Sequence, residues 1–443
     1  MRKLISILTA LFMAISILLV GCSENQSTSN AKQPAENAGN DSKTEGASIH
    51  EIYKLLPKPS LSGVVNPYME DRTGINKALP KTPKDPNKIV IGWSEITLGN
   101  PWFVALIDSA KKTAAKHGYD LRVQVAEGSI EKQSKHIDSF ITQGVDVIVV
   151  DPTDIFGVVA DIKRAVDAGI PVITVGTAPD NSAPVVTTIN SSAYINGFET
   201  GKYVAAQYKN DEQINAAMII GVMGNSTSES RLNGMVAGIV YERLLKLGKK
   251  ITKEDAMLEG YKLFEEVKKS GKFDYPDAKF AVHGIGTGNW TDEGGLAAAE
   301  DLLVANAAKL NVILAENDFM GMGALKALKN INKHGEIKVA SAADGAREAL
   351  DLIKTGDLLV TGPNSSVQIG EETINLIHKI FAEGFDANNL PMETGTKADA
   401  ISKENVDKYY DSDKSNPFFK YESIEFKSIP EVLKDLKQSK SGS

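Results

Sequence analysis

Cysteine is almost missing from this chain of 443 residues, which has one, Cys22. A lone thiol excludes an intrachain disulfide and a cysteine-ligated zinc site. The six histidines, at 50, 117, 136, 283, 334 and 378, show no metal-ligand spacing, so no metal is expected. The formal net charge is −8, no basic stripe runs along the sequence and no helix-turn-helix pattern precedes the body, which argues against a nucleic-acid partner. A nucleophile with a companion base and a phosphate-cradling loop are also wanting. Neither a cofactor nor an enzyme activity is expected.

What is present begins with Met1-Arg2-Lys3 and an uncharged run from Leu4 to Val20, apolar but for Ser6, Thr9 and Ser16, which reads as an export signal. A retained spanning helix is the alternative for a run of this length. The ending Leu19-Val20-Gly21-Cys22 resembles a bacterial lipobox. That resemblance implies that residues 1–22 are a lipoprotein signal peptide and that Cys22 carries a diacylglycerol, whose two chains anchor stably. The expected location is extracytoplasmic, on the membrane surface. Residues 23–50 are rich in Ser, Asn, Lys, Glu and Gly and read as a flexible tether with a reach of about 30 Å. Over residues 51–87, six prolines interrupt scattered apolar residues without periodicity. An irregular arm packed on the body is expected there, with continued disorder as the alternative.

From Lys88 onward, short β-branched runs alternate with helical patterns, the signature of βαβ units and parallel sheets. The first set predicts strands at 88–93, 121–126, 145–150 and 171–175 and helices at 101–117, 131–143 and 155–168. Gly118, Gly144 and Gly169 fall where each helix should stop. A second set predicts strands at 216–221, 279–282, 311–315 and 337–341 and helices at 228–247, 292–308 and 318–332. The charged, helical stretch from Lys246 to Asp277 should decorate this second set. The expected class is α/β, with two doubly wound parallel-sheet lobes, each large enough for its own core. In such sheets, ligands bind beyond the carboxyl ends of the strands. Asn100-Pro101-Trp102-Phe103 stands at one such end, placing two aromatic rings between a strand and a helix that Asn100 can cap. The plain alternative is that both rings plug the top of the sheet.

Asn100-Pro-Trp-Phe103, Asp151-Pro-Thr-Asp154, Gly169-Ile-Pro-Val-Ile-Thr174, Glu316-Asn-Asp-Phe-Met-Gly321 and Asp344-Gly345 occur in this order. Together they resemble the periplasmic sugar-binding proteins of the ribose and galactose type, over approximately Lys88 to Gly395. The resemblance implies a type 1 periplasmic-binding fold, two lobes closing over one small ligand and joined by a three-crossing hinge near 187–191, 364–366 and 392–395. It divides the body into an amino-terminal lobe of 88–188 plus 365–391, with a helix over 366–384, and a carboxyl-terminal lobe of 189–364 plus 392–430. A tail of 431–443 follows.

It also implies roles for single residues. Asn100 is the polar contact before the aromatic pair, and Trp102 and Phe103 grip a sugar ring. Asp151, Arg231, Trp290, Asn317, Asp344 and the hinge-side Asn364 supply the remaining ligand contacts. The structural alternatives are a helix cap for Asp151, a surface position for Arg231 and an exposed loop for Trp290. Asp318 reads as the cap of the helix after Asn317, and Gln368 reads as structural. Asp151 and Asp344 could together hydrolyse a glycoside, but the resemblance gives both a binding role instead. One departure stands out: where ribose and galactose binders carry an Asp-Arg pair after the fourth strand, this chain has Gly176-Thr177. Trp93, Ser94, Glu95 and Thr97 are candidates to replace the lost hydrogen bonds, with a solvent-exposed carboxylate as the alternative for Glu95. The partners implied are a sugar or polyol, an ABC permease and the membrane through the lipid, with the protein a monomer. Docking on a sensor kinase or chemoreceptor, or binding of a non-sugar polar molecule, remains open at this point.

Overall fold

Strand-forming runs with glycine stops between them set the course of the chain, which a computed structural model describes over residues 71–82, 85, 89–432 and 434. The export signal, Cys22, the tether, the arm up to residue 70 and nearly all of the tail lie outside the described residues. Helix α1 (Thr73–Ala78) opens the described part, where the sequence reading has an irregular arm. Six residues are too few to show a periodic stripe. The segment is held by buried Ile75 and by Arg72, which donates to the carbonyls of Val186, Ala387 and Asn388 at 3.1, 2.9 and 2.8 Å.

Then follow β1 (Val90–Glu95), α2 (Pro101–His117), β2 (Asp120–Val125), α3 (Ile130–Gln143), β3 (Val147–Val150), α4 (Val158–Asp167), β4 (Val172–Val175) and β5 (Thr188–Ser191). Asn100 caps α2 through the Trp102 amide at 2.7 Å, and Gly118 ends it in the left-handed conformation at φ 76°. The second run comprises α5 (Ala193–Ala206), β6 (Ile214–Ile220), α6 (Ser226–Lys246), α7 (Lys253–Ser270), β7 (Phe273–Tyr275), β8 (Phe280–Thr287), α8 (Asp292–Asn306), β9 (Val312–Ala315), α9 (Asp318–Asn330), β10 (Lys338–Ser341), α10 (Arg347–Thr355) and β11 (Val360–Thr361). The chain then adds α11 (Ser366–Phe381), β12 (Glu393–Thr396) and β13 (Ile401–Ser402).

The first sheet has the order β12-β5-β4-β3-β1-β2 and is parallel throughout. The second has the order β10-β9-β6-β8-β7, with only β7 antiparallel. Both faces of a parallel sheet are covered by helices, which is why Val147–Val150 is four consecutive buried apolar residues. The order reverses between β1 and β3 in one sheet and around β6 in the other, opening a crevice at the strand ends. Those two crevices face each other.

Helix α5 is absent from the sequence reading because Asn196, Gly197, Thr200 and Gly201 interrupt the apolar residues of its buried face. It packs on α6 by backbone approach. A Cβ at Gly197 would lie 2.0 Å from the Arg231 carbonyl oxygen, and one at Gly238 would lie 2.0 Å from that of Phe198. The same close approach fixes the turn of α6 that carries Arg231.

Three segments cross between the sheets. Strands β5 and β12 leave the first sheet side by side, with Thr187 and Thr394 hydroxyls 2.8 Å apart. Asn196 laces the crossings together, donating to the Pro363 carbonyl at 2.7 Å and accepting from the Asp399 amide at 3.3 Å. A fourth crossing departs from the sequence reading, which keeps 392–430 with the second lobe. Residues 397–420 do stay there: β13 pairs with β11, the Arg347 side chain donates to the carbonyls of Asp413 and Asn416 at 2.9 and 3.0 Å, and Phe418 and Phe419 are buried. Beyond them the chain returns to the first lobe. Tyr421 donates to Glu371 at 2.7 Å, the Ile424 amide to Glu372 at 3.0 Å, and the Ile429 amide to the Asn389 carbonyl at 2.8 Å. Hydrogen bonds made outside any strand or helix leave no trace in sequence periodicity.

Candidate functional site

The residues of the site stand after strand ends or in the first two turns of helices, so the two sheets aim them at one another. Asn100, Trp102, Phe103, Asp151, Arg231, Trp290, Asn317, Asp344 and Asn364 all line one cavity, whose empty space together with the solvent at its mouth amounts to about 440 Å³. Ile96, Gly176, Thr177, Asn225 and Thr227 complete its wall.

The aromatic wall comes from both lobes. Trp102 and Phe103 meet edge to face with centroids 5.2 Å apart, and Phe103 meets Trp290 at 6.1 Å. The Trp102 indole donates to the Asn364 carbonyl at 2.9 Å, and the Trp290 indole to Ser228 Oγ at 3.0 Å. Trp290 is half-buried, and it and Asn289 adopt left-handed backbone angles, φ 60° and 49°. Such a conformation is strained for residues other than glycine and tends to be kept where a site needs it. Here it turns the Trp290 carbonyl toward the side-chain amides of Asn100 and Asn317.

The polar wall of the second lobe centres on Arg231. Helix α6 begins at Ser226, so Arg231 lies in its second turn, not the first, and is buried. Its Nη1 donates to Glu316 Oε1 at 2.7 Å and its Nη2 lies 3.4 Å from Asp344 Oδ1, while Nε has no hydrogen-bond partner. Asn364 Nδ2 donates to Asp344 Oδ1 at 2.8 Å. Glu316 holds the arrangement from behind, its Oε2 accepting from the Gly221 amide and Ser228 Oγ, each at 2.9 Å. Burial pushes Asp344 up to about 7, against the pull of the neighbouring guanidinium. Asn317, not Asp318, caps α9, accepting from the Met320 amide at 3.0 Å. Asp318 is buried and accepts from Thr361 Oγ1 at 2.6 Å and the Ala346 amide at 2.9 Å.

The first lobe contributes Asp151, directly after β3. Asp151 caps no helix: α4 has no side-chain cap, and the turn before it is closed by Asp154, which accepts from the Phe156 and Gly157 amides at 3.0 and 2.6 Å. Asp151 is buried, its Oδ1 has no hydrogen-bond partner, and burial pushes it up to about 7 against hydrogen bonds from Glu95 and Thr177. Glu95 is not exposed, as one sequence alternative has it, but fully buried at the end of β1. It accepts from the Trp93 indole at 3.1 Å and from the Ile96 amide at 2.9 Å. Burial and then the Asp151 carboxylate push it well up. Of the other suggested replacements, Trp93 is wholly in the core, Ser94 is bonded to His136 at 3.0 Å and Thr97 to the Gly99 amide at 3.0 Å.

Contacts across the cleft show the lobes closed. Asn225 donates to Thr177 Oγ1 at 3.2 Å, Thr227 to the Gly176 carbonyl at 2.7 Å and Ser226 to the Ala178 carbonyl at 2.6 Å. Sequence reasoning gives Glu316 no role and does not consider Asn225 or Thr227. Their signal was available, since Glu316 directly follows β9 and Asn225 and Thr227 stand at the start of α6, but a charged or polar residue at such places reads equally as loop or cap. Among the described residues no group of three or more His, Cys, Asp or Glu side chains is placed to hold a metal, and no helix is long and apolar enough to cross a membrane.

Comparison with known proteins agrees with this geometry. The chain is 26% identical over 294 residues to a ribose import binding protein of Bacillus subtilis, covering 66% of this chain and 82% of the relative. It is 23% identical over 284 residues to a galactofuranose-binding protein of Escherichia coli, covering 63% and 77%. A solved ABC transporter solute binding protein from Mycobacterium smegmatis, with bound glycerol, matches with a TM-score of 0.60 at 25% identity, over 75% of this chain and 99% of that one. These relatives are binding proteins and not enzymes. The periplasmic binding protein domain matches residues 91–384, from the first strand to the helix behind the hinge, and the chain belongs to that family.

Proposed function

We propose that the protein is a membrane-anchored extracytoplasmic receptor that captures a sugar or polyol between its lobes and delivers it to an ABC permease. The observation that carries this reading is a cavity between the lobes walled by three aromatic rings and by polar groups from both lobes. A sugar presents apolar C–H faces, which stack on aromatic rings, and a rim of hydroxyls that both donate and accept. Trp102, Phe103 and Trp290 suit the faces. Asn100, Asp151, Arg231, Asn317, Asp344 and Asn364 suit the rim, where charge-assisted hydrogen bonds in a dry site discriminate by about 1–3 kcal/mol per misplaced hydroxyl. The ribose and galactofuranose relatives and the glycerol-bound structure support a polyol ligand. Lipid on Cys22 would keep the receptor, as a monomer, beside its permease.

The test is a thermal-shift and tryptophan-fluorescence screen of the full chain in detergent against pentoses, hexoses, furanoses and cyclitols. At least one should raise the melting temperature in proportion to the logarithm of its concentration and change the emission of Trp102 or Trp290. A screen in which no polyol does either refutes the reading. Mass spectrometry of the mature amino terminus tests the lipid on Cys22.

A further inference from the structure

The cavity is unevenly charged. Five buried carboxylates line or back it, Glu95, Asp151, Glu316, Asp344 and, behind the last, Asp318, against one cation, Arg231. That cation is committed to Glu316 and Asp344 on the second lobe. At the other end Glu95 and Asp151 lie against each other, and no lysine or arginine among the described residues reaches them. The groups facing the pair are the Trp93 indole on β1, Thr177 after β4, and on α3 Gln133, which bonds the Asp151 carbonyl, and His136, which is turned to Ser94. Position 176 cannot supply a counterion, because a Cβ there would stand 2.9 Å from Asp151 Oδ2 and the backbone is left-handed. Thr177 is too short to carry one.

Two adjoining carboxylates out of water are tolerated when they hold a proton or when a cation neutralises them. One oxygen, Asp151 Oδ1, is buried, lines the ligand cavity and has no hydrogen-bond partner. Resting on the polyol-receptor reading above, we propose that the ligand carries an ammonium group, as in an amino sugar or aminocyclitol, and that Asp151, backed by Glu95, holds that nitrogen. The rest of the ligand's hydroxyl rim faces Arg231 and Asp344. The ammonium arrives with its three N–H bonds and keeps them. The proton held by the Glu95–Asp151 pair leaves to bulk water, so binding is coupled to proton release.

Isothermal titration of the full chain in detergent at pH 7 tests this. The probes are glucosamine, galactosamine, mannosamine and an inosamine, each against its neutral parent, in two buffers of different ionisation enthalpy. The expected result is that at least one amine binds ten-fold or more tightly than its parent and releases up to one proton. Asp151→Asn should abolish both the preference and the release. Thr177→Arg, which leaves the carboxylate in place but supplies a cation, should abolish the preference too. A neutral parent that binds as tightly as its amine, without proton release, overturns the inference and leaves the polyol receptor standing. Binding by no compound of either kind overturns both.

Discussion

Glu316 touches no open part of the cavity, yet the arrangement around Arg231 depends on it. Consider Glu316→Gln, which keeps the shape and removes the charge. The carboxylate accepts from Arg231 on one oxygen, at 2.7 Å, and from the Gly221 amide and Ser228 on the other, each at 2.9 Å. A glutamine must turn its NH2 toward one of these two sides, so a buried donor is left facing a donor in either orientation. An unpaired buried donor costs about 1–3 kcal/mol, and removing one partner of a buried ion pair costs about 3–5 kcal/mol. Asp344, 3.4 Å from the other guanidinium nitrogen, offsets part of this. The expected loss is therefore about 2–4 kcal/mol, read as a lower midpoint in guanidinium unfolding of the ligand-free chain. Affinity for whichever polyol the screen identifies should fall at least ten-fold, because Arg231 is no longer held in place. A stability change under about 0.5 kcal/mol, with affinity unaltered, refutes the role given to Glu316.

Other outcomes follow from the same geometry. Trp102→Ala should retain the far-ultraviolet circular dichroism of the fold while weakening ligand binding at least ten-fold, and unaltered affinity would remove this ring from the cavity's function. Gly197→Val forces a side chain against the Arg231 carbonyl, within 2.0 Å even at Cβ, and should destabilise by about 3 kcal/mol or more in thermal unfolding; a normal melting temperature would refute the close packing of α5 on α6. Burial pushes Asp151, Asp344 and Glu393 each up to about 7, whereas unfolded carboxyls titrate near 4. The folded, empty chain thus binds more protons than the unfolded chain between these values, and the stability so gained is lost as pH rises through about 7. The denaturation midpoint should be lower at pH 8 than at pH 6, and an equal or higher value would contradict the burial of these groups. Ending the chain at Lys420 should lower the melting temperature and weaken ligand binding several-fold, and no change in either would make the fourth crossing incidental.

Much of this architecture is legible in the sequence because its signals are local. Val147–Val150 announces a buried parallel strand by four apolar residues in a row, and Asn100-Pro101 and Gly118 mark the two ends of α2. Asn100, Trp102, Phe103, Asp151, Asn317 and Asp344 are legible because they stand near strand ends or helix starts within ordered motifs. Long-range pairing was not legible. The partner of Arg231 is 85 residues away, and nothing around Glu316 says that its carboxylate turns inward. Glu95 reads as a loop residue because a carboxylate at a strand end is usually hydrated, and only the assembled sheet shows that Trp93 and Asp151 enclose it. Helix α5 was missed because helices in backbone contact need small residues where periodicity looks for large apolar ones.

The return of residues 421–429 to the first lobe makes the binding equilibrium sensitive to places the ligand never reaches. A receptor that binds only when shut has an apparent affinity equal to its intrinsic affinity scaled by the fraction of molecules already shut. Three hinge strands permit opening, whereas a length of chain fastened by Tyr421 and Ile424 to one lobe and by buried Phe418 and Phe419 to the other resists it. Substitutions along that length should therefore retune the ligand concentration at which the lobes shut while every atom of the cavity wall stays the same, so affinity and selectivity can vary separately in this chain.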